Sequence, residues 1–160
     1  MNTRFLPEIN AINKTITAFN RFLNPIYKIP VLNPDRMIEE KYCSEIKHGR
    51  WDDFDFPNAP KRGVYFIFGH DKANESTNGL YIGKASFSSA IGARLDHHLR
   101  PYKKSSCFEM NGNRGEKYVL DYMASIELES LNLVFMSPAL EEYLISELRG
   151  QLKLMNGTGN

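Results

Sequence analysis

Cysteine is scarce in this chain: two among 160 residues, Cys43 and Cys107, far apart and with no histidine or second cysteine at metal-ligand spacing. That excludes a disulfide scaffold and a zinc finger, and it predicts free thiols in a reducing compartment. Long apolar runs are missing too. No stretch of about 18 apolar residues is present, so no transmembrane helix is expected. Residues 1–9 lack the apolar segment of a secretory signal, and the expectation is a soluble, cytoplasmic protein without a membrane partner. Net charge is nearly absent, 20 Lys and Arg against 19 Asp and Glu, so the total by itself announces no polyanion. Repeats, low-complexity tracts and a helix-turn-helix pattern are likewise missing. What remains, at 42% apolar content, is one domain with a core of its own and an extension.

The charge that is there is unevenly placed. From Lys84 to Lys104 five bases (Lys84, Arg94, Arg100, Lys103, Lys104) stand against one acid, Asp96, whereas residues 1–60 balance eight bases with eight acids. A local basic surface of this kind suits a nucleic acid and predicts salt-sensitive binding.

In residues 8–23, Ile9, Ile12, Ile16, Phe19, Phe22 and Leu23 recur at helical spacing until Pro25. Residues 29–32 read as extended, and a second helix is expected from near Asp35 through Met37, Ile38 and Tyr42 toward Ile46. An acidic, proline-bearing link, 52–60, closes this part. The chain thus divides into an N-terminal helical extension, 1–60, and a domain, 61–160. The extension reads first as a brace on the sheet. A DNA-recognition module, or a surface for a homodimer or partner protein, are the other readings.

Residues 62–68 and 80–83 are rich in β-branched and aromatic side chains, and 70–79 between them holds Asp71, Asn74, Ser76, Asn78 and Gly79. This is the pattern of a β-hairpin. A helix is expected over 88–99, a loop over 105–116 and a third strand over 131–136, with 118–129 open between helix and strand. Ser137 as N-cap and Pro138 at the first helical position would start the last helix. The fold class is α+β: a small three-stranded antiparallel sheet flanked by helices.

The hairpin carries Gly63-Val64-Tyr65 and Tyr81-Ile82-Gly83, followed by Lys84-Ala85, Ile91-Gly92-Ala93-Arg94-Leu95, His98 and Ala139-Leu140-Glu141-Glu142-Tyr143-Leu144-Ile145. This ordered set, over roughly residues 61–156, resembles the GIY-YIG nuclease family, with Val64 where the family has isoleucine. The 16 positions from Tyr65 to Tyr81 are slightly long for it, and Asn156 stands where the family has an asparagine, without the usual proline before it.

Read from the residues alone, Leu140, Leu144, Leu148, Leu152 and Ile145 make one apolar stripe, with Glu141 inside it and Glu142 outside. A carboxylate there needs a cation or several hydrogen-bond donors, and Glu141 reads either as the partner of a buried arginine, as a residue at the margin of the stripe, or as part of a site. On the preceding helix Arg94 and His98 share a flank one turn apart, while His97 turns toward solvent. His98 reads either as a residue of the core margin or as a catalytic group. Tyr65 and Tyr81 read either as strand aromatics or as part of a site. A phenol of ordinary pKa is a poor base at neutral pH unless a cation such as Lys84 lowers it, and a rate rising through neutral pH is then expected.

The resemblance implies a Mg²⁺- or Mn²⁺-dependent endonuclease that hydrolyses phosphodiester bonds of DNA, of restriction, structure-specific or mobile-element type. It implies Tyr65 as proton acceptor for the attacking water, Tyr81 as its positioning partner, Lys84 and Arg94 as phosphate clamps, His98 as a relay and Glu141 as metal ligand. Arg100, Lys103, Lys104 and Asn156 would complete the substrate-binding set. Gly63 and Gly83 would let strands approach closely. A catalytically weak nucleic-acid-binding or adaptor module of the same fold is the rival.

Overall fold

The computed structural model describes residues 3–34, 38–39, 58–99 and 109–156. The described strands of its sheet all pair antiparallel. Strand β2 (Gly63–Asp71) lies between β3 (Asn78–Ala85) and β5 (Lys117–Glu127). The two-residue β1 (Ile38–Glu39) and β4 (Glu109–Asn111) pair at different points along the far side of β5. The expected hairpin is β2–β3, with strands longer than the apolar runs and a tight 72–77 turn held by Asn74.

Alternation along β2 explains why its whole apolar run is buried. Val64, Phe66 and Phe68 enter a core with α1 (Leu6–Phe19) and α3 (Ser137–Leu148), while Tyr65 and Ile67 point to the opposite face, covered by α2 (Ile91–Leu99). In the larger core Ile9, Ile12, Ile16 and Phe19 of α1 meet Leu140, Leu144 and Leu148 of α3, so α1 is packed on the sheet.

Four expectations need correction. The loop expected over 105–116 holds a strand, Glu109–Asn111, because these residues pair with Lys117–Val119 of β5. The third principal strand is β5, and 131–136 is not a strand. There Asn132 adopts a left-handed φ of 56°, Leu133 N–H returns to Leu128 O, and Val134–Met136 is a 3-10 turn that buries Leu133 and leaves Phe135 exposed. The sheet therefore exceeds the three strands expected. Ser137 is not an N-cap. Met136 before it is already helical, and the Ser137 hydroxyl is buried with no partner among the described residues. Ile38–Glu39 is strand rather than helix, because it pairs with Met123 and Tyr122 of β5; the rest of the helix expected to run toward Ile46 lies outside the described residues.

The outer edge of β3 is closed by the segment after α3. Leu80 N–H donates to Lys153 O (3.0 Å) and Met155 N–H to Leu80 O (2.8 Å). The Asn156 amide then accepts from Ile82 N–H at 2.9 Å and donates to Ile82 O at 2.6 Å, acting as one more residue of backbone. Both ends of that amide are thus engaged by β3, so Asn156 supports the strand between Tyr81 and Gly83 instead of reaching for phosphate. Asn156→Ala strips two buried backbone groups of their partner, and a loss of about 1–3 kcal/mol is expected in thermal or denaturant unfolding.

Candidate active site

Tyr65 and Gly83 are direct cross-strand partners, and the missing side chain at Gly83 is what lets the Tyr65 ring lie flat across β3. A Cβ at Gly83 would stand 2.7 Å from Tyr65 Cε2 and nearer still to its hydroxyl carbon. Gly63 meets the same need against the Ile126 carbonyl of β5. Tyr81 shares this face, its ring 6.2 Å from that of Tyr65 and nearly parallel to it. Over the pair lies α2, anchored by buried Ile91 and Leu95.

The flank of α2 brings Arg94 and His98 to the tyrosines. His98 Nε2 is 2.9 Å from the Tyr65 hydroxyl, and its ring meets Tyr81 edge-on at 4.9 Å. His97, one residue away, is exposed. Burial, then the charge of Arg94 and the neighbouring His97, lower the His98 pKa to about 4, so the imidazole is neutral at physiological pH. With Nε2 unprotonated it accepts the Tyr65 hydroxyl proton. Burial pushes the Tyr65 phenol well above its ordinary range; Tyr81 and the Glu141 carboxylate add to this, and the Arg94 guanidinium opposes it. Tyr81 is raised by burial and by Glu141. Arg94 keeps a buried Nε–H with no hydrogen-bond partner among the described residues, a donor left for an incoming acceptor.

Alternation along β3 sends Leu80, Ile82 and Lys84 to the face that α3 covers. Lys84 Nζ pairs there with Glu141 Oε2, both side chains largely buried, so the carboxylate is met by a lysine ammonium where the stripe left open a buried arginine, several donors or a marginal position. Glu142 is exposed, as the stripe implies. Lys84 is not among the charges that shift either tyrosine, so the expectation that it favours phenolate is corrected: the cation with that effect is Arg94. Arg100, Lys103 and Lys104 lie outside the described residues.

Among the described residues no three His, Cys, Asp or Glu side chains gather as a metal cage. Glu141 nevertheless fits Mg²⁺ or Mn²⁺. It is a single largely buried carboxylate already holding a cation, and hard divalent ions take one carboxylate with waters and phosphate oxygens making up the remainder.

One arrangement gave no sequence signal. Arg62, at the entrance to β2, is gripped by Glu129 through Nη2–Oε1 (2.9 Å) and Nε–Oε2 (3.2 Å), and its Nη1 donates to the carbonyl of Phe87 between β3 and α2 at 2.9 Å. Only the fold brings these three positions together. Comparison with models of protein families, with curated proteins and with solved structures finds no match to this chain.

Proposed function

We propose that the chain is a metal-dependent DNA endonuclease of GIY-YIG type. The observation that carries this reading is the 2.9 Å contact between the Tyr65 hydroxyl and a neutral His98 imidazole, with Arg94 on the same helical flank. A phenol with a raised pKa is a weak base alone, but the contact makes a relay. The attacking water gives its proton to Tyr65 Oη as the Tyr65 proton moves to His98 Nε2, leaving hydroxide to attack phosphorus. The negative phosphodiester beside Arg94 raises the proton affinity of His98, which helps the transfer. Arg94 donates to the phosphate oxygens as negative charge grows on them. Mg²⁺ or Mn²⁺ held by Glu141 would supply positive charge at the scissile phosphate and leaving oxygen.

The rival, a binding or adaptor module of the same fold, draws on the Lys84–Glu141 pair, which occupies the carboxylate with an ammonium. Incubation with supercoiled and branched DNA in Mg²⁺, Mn²⁺ or EDTA decides between them. Cleavage that needs metal supports the nuclease, and binding without cleavage in every lane supports the module.

His98→Ala is expected to lower turnover far more than His97→Ala, since only His98 touches Tyr65. In an NMR titration His98 should have its midpoint at about 4. Its ordinary value is 6.5, so the unfolded chain takes the proton first. Stability is accordingly lost as pH falls from 6.5 toward about 4, and His98→Ala should flatten that loss. Equal turnover of the two alanine variants would return His98 to a packing role.

A further inference from the structure

Between β3 and α2, the two elements that bring Tyr81, Arg94 and His98 to the site, stands Phe87. It is 72% exposed and belongs to neither core, and its φ is 55°. That left-handed conformation suits glycine, and a bulky side chain stays in it only where its surroundings hold it. Here Phe87 is the first corner of a Ser86–Ser89 turn, closed by Ser89 N–H to Ser86 O (3.4 Å), and the Arg62–Glu129 clamp grips its carbonyl, while Lys61 O accepts from Ile91 N–H (2.8 Å) at the far end of the same loop. The ring is thus presented to water on a fixed stalk, at a conformational cost that packing does not explain. Its neighbours Ser86, Ser88 and Ser89 are small and polar. A lone flat ring without an apolar surround is unlike the packed centre of a protein interface. It is what a nucleobase needs, because every base has a π-face and stacks on an aromatic ring whatever its sequence. Phe87 stands four positions before Ile91, where the helix of Arg94 begins, so with the single helical turn to Arg94 the reach is roughly 19 Å at most, and a base stacked on Phe87 lies within a few nucleotides of a phosphate at Arg94.

We propose that Phe87 is a stacking platform for an unpaired base of the DNA substrate, which directs the enzyme to strands with unstacked bases within a few nucleotides of the scissile phosphate. This rests on the nuclease reading. The test is binding in EDTA, by fluorescence anisotropy, of a single-stranded oligonucleotide and of the blunt duplex of the same sequence. Phe87→Ala should lower the ratio of single-strand to duplex affinity by roughly five- to a hundredfold, the scale of one base–aromatic stack, and Phe87→Trp should restore it. Phe87→Gly should lower the ratio like alanine while melting no lower than the native protein, because glycine tolerates this φ; that separates the loss from misfolding. A ratio unchanged in Phe87→Ala and Phe87→Gly, or a change in self-association with no change in the ratio, overturns the platform alone if the native protein binds and, with metal, cuts DNA. A native protein that binds neither strand form and cuts no DNA overturns both readings.

Discussion

Tyr65→Phe should lower single-turnover cleavage by on the order of 10² or more, the scale of a general-base contribution, while leaving the fold intact. The ring is fully buried, and phenylalanine fills the same space across Gly83, so the stability lost is that of one hydrogen bond, about 1 kcal/mol. The pH profile adds the mechanism. An unaided phenolate base would make the rate climb through neutral pH. Burial raises Tyr65 far enough that phenolate is not populated there, and the hydroxyl stands 2.9 Å from His98 Nε2, within reach of a neutral acceptor. The activity of the free enzyme should therefore be flat through neutral pH and fall on the acid side as His98 protonates, with a midpoint at about 4 in place of the ordinary 6.5. Arg94 lowers His98, so Arg94→Ala should move that acid limb upward as well as remove a phosphate donor. A Tyr65→Phe enzyme with native single-turnover rates would exclude the relay.

How far the sequence could reach is best seen in β5. Tyr118 and Leu120 face α2, then Tyr122, Ala124 and Ile126 face the other core while Met123 returns to the α2 side. The alternation breaks because Asp121 is an extra residue opposite the Phe68–Gly69 step of β2, where the register shifts. A period-two pattern with such a slip looks neither like a strand nor like a helix. The hairpin had no slip and was legible; so was the α3 stripe, with Glu141 inside and Glu142 out. In 131–136 the apolar content was strand-like, but one left-handed asparagine turned it into a bend. At the site, Arg94 and His98 could be placed on one flank from helical angles. Their meeting with Tyr65 could not, since it depends on α2 crossing β2 and β3 over Gly83. The Lys84–Glu141 pair was within reach: the parity that puts Leu80 and Ile82 toward α3 puts Lys84 there too.

That pair sets the second large effect. Glu141→Gln keeps the shape of the side chain and its capacity to accept a hydrogen bond from Lys84, but removes the charge that a divalent cation requires. Metal-supported cleavage should be abolished, while the protein remains folded and binds DNA in EDTA as the native protein does. Glu142→Ala, at an exposed position of the same turn, should be mild. Lys84→Ala distinguishes the two partners. It leaves a largely buried carboxylate without its ammonium, which costs stability in the absence of metal. Mg²⁺ or Mn²⁺ should then recover more melting temperature in Lys84→Ala than in the native chain, because the ion replaces a cation that is missing instead of displacing one that is present. In Glu141→Gln the same additions should recover none. If Glu141→Gln cleaves at the native rate, or if Glu141 and Glu142 variants lose activity equally, the carboxylate serves only as the partner of Lys84. The metal, if cleavage needs one, would then have to be held elsewhere.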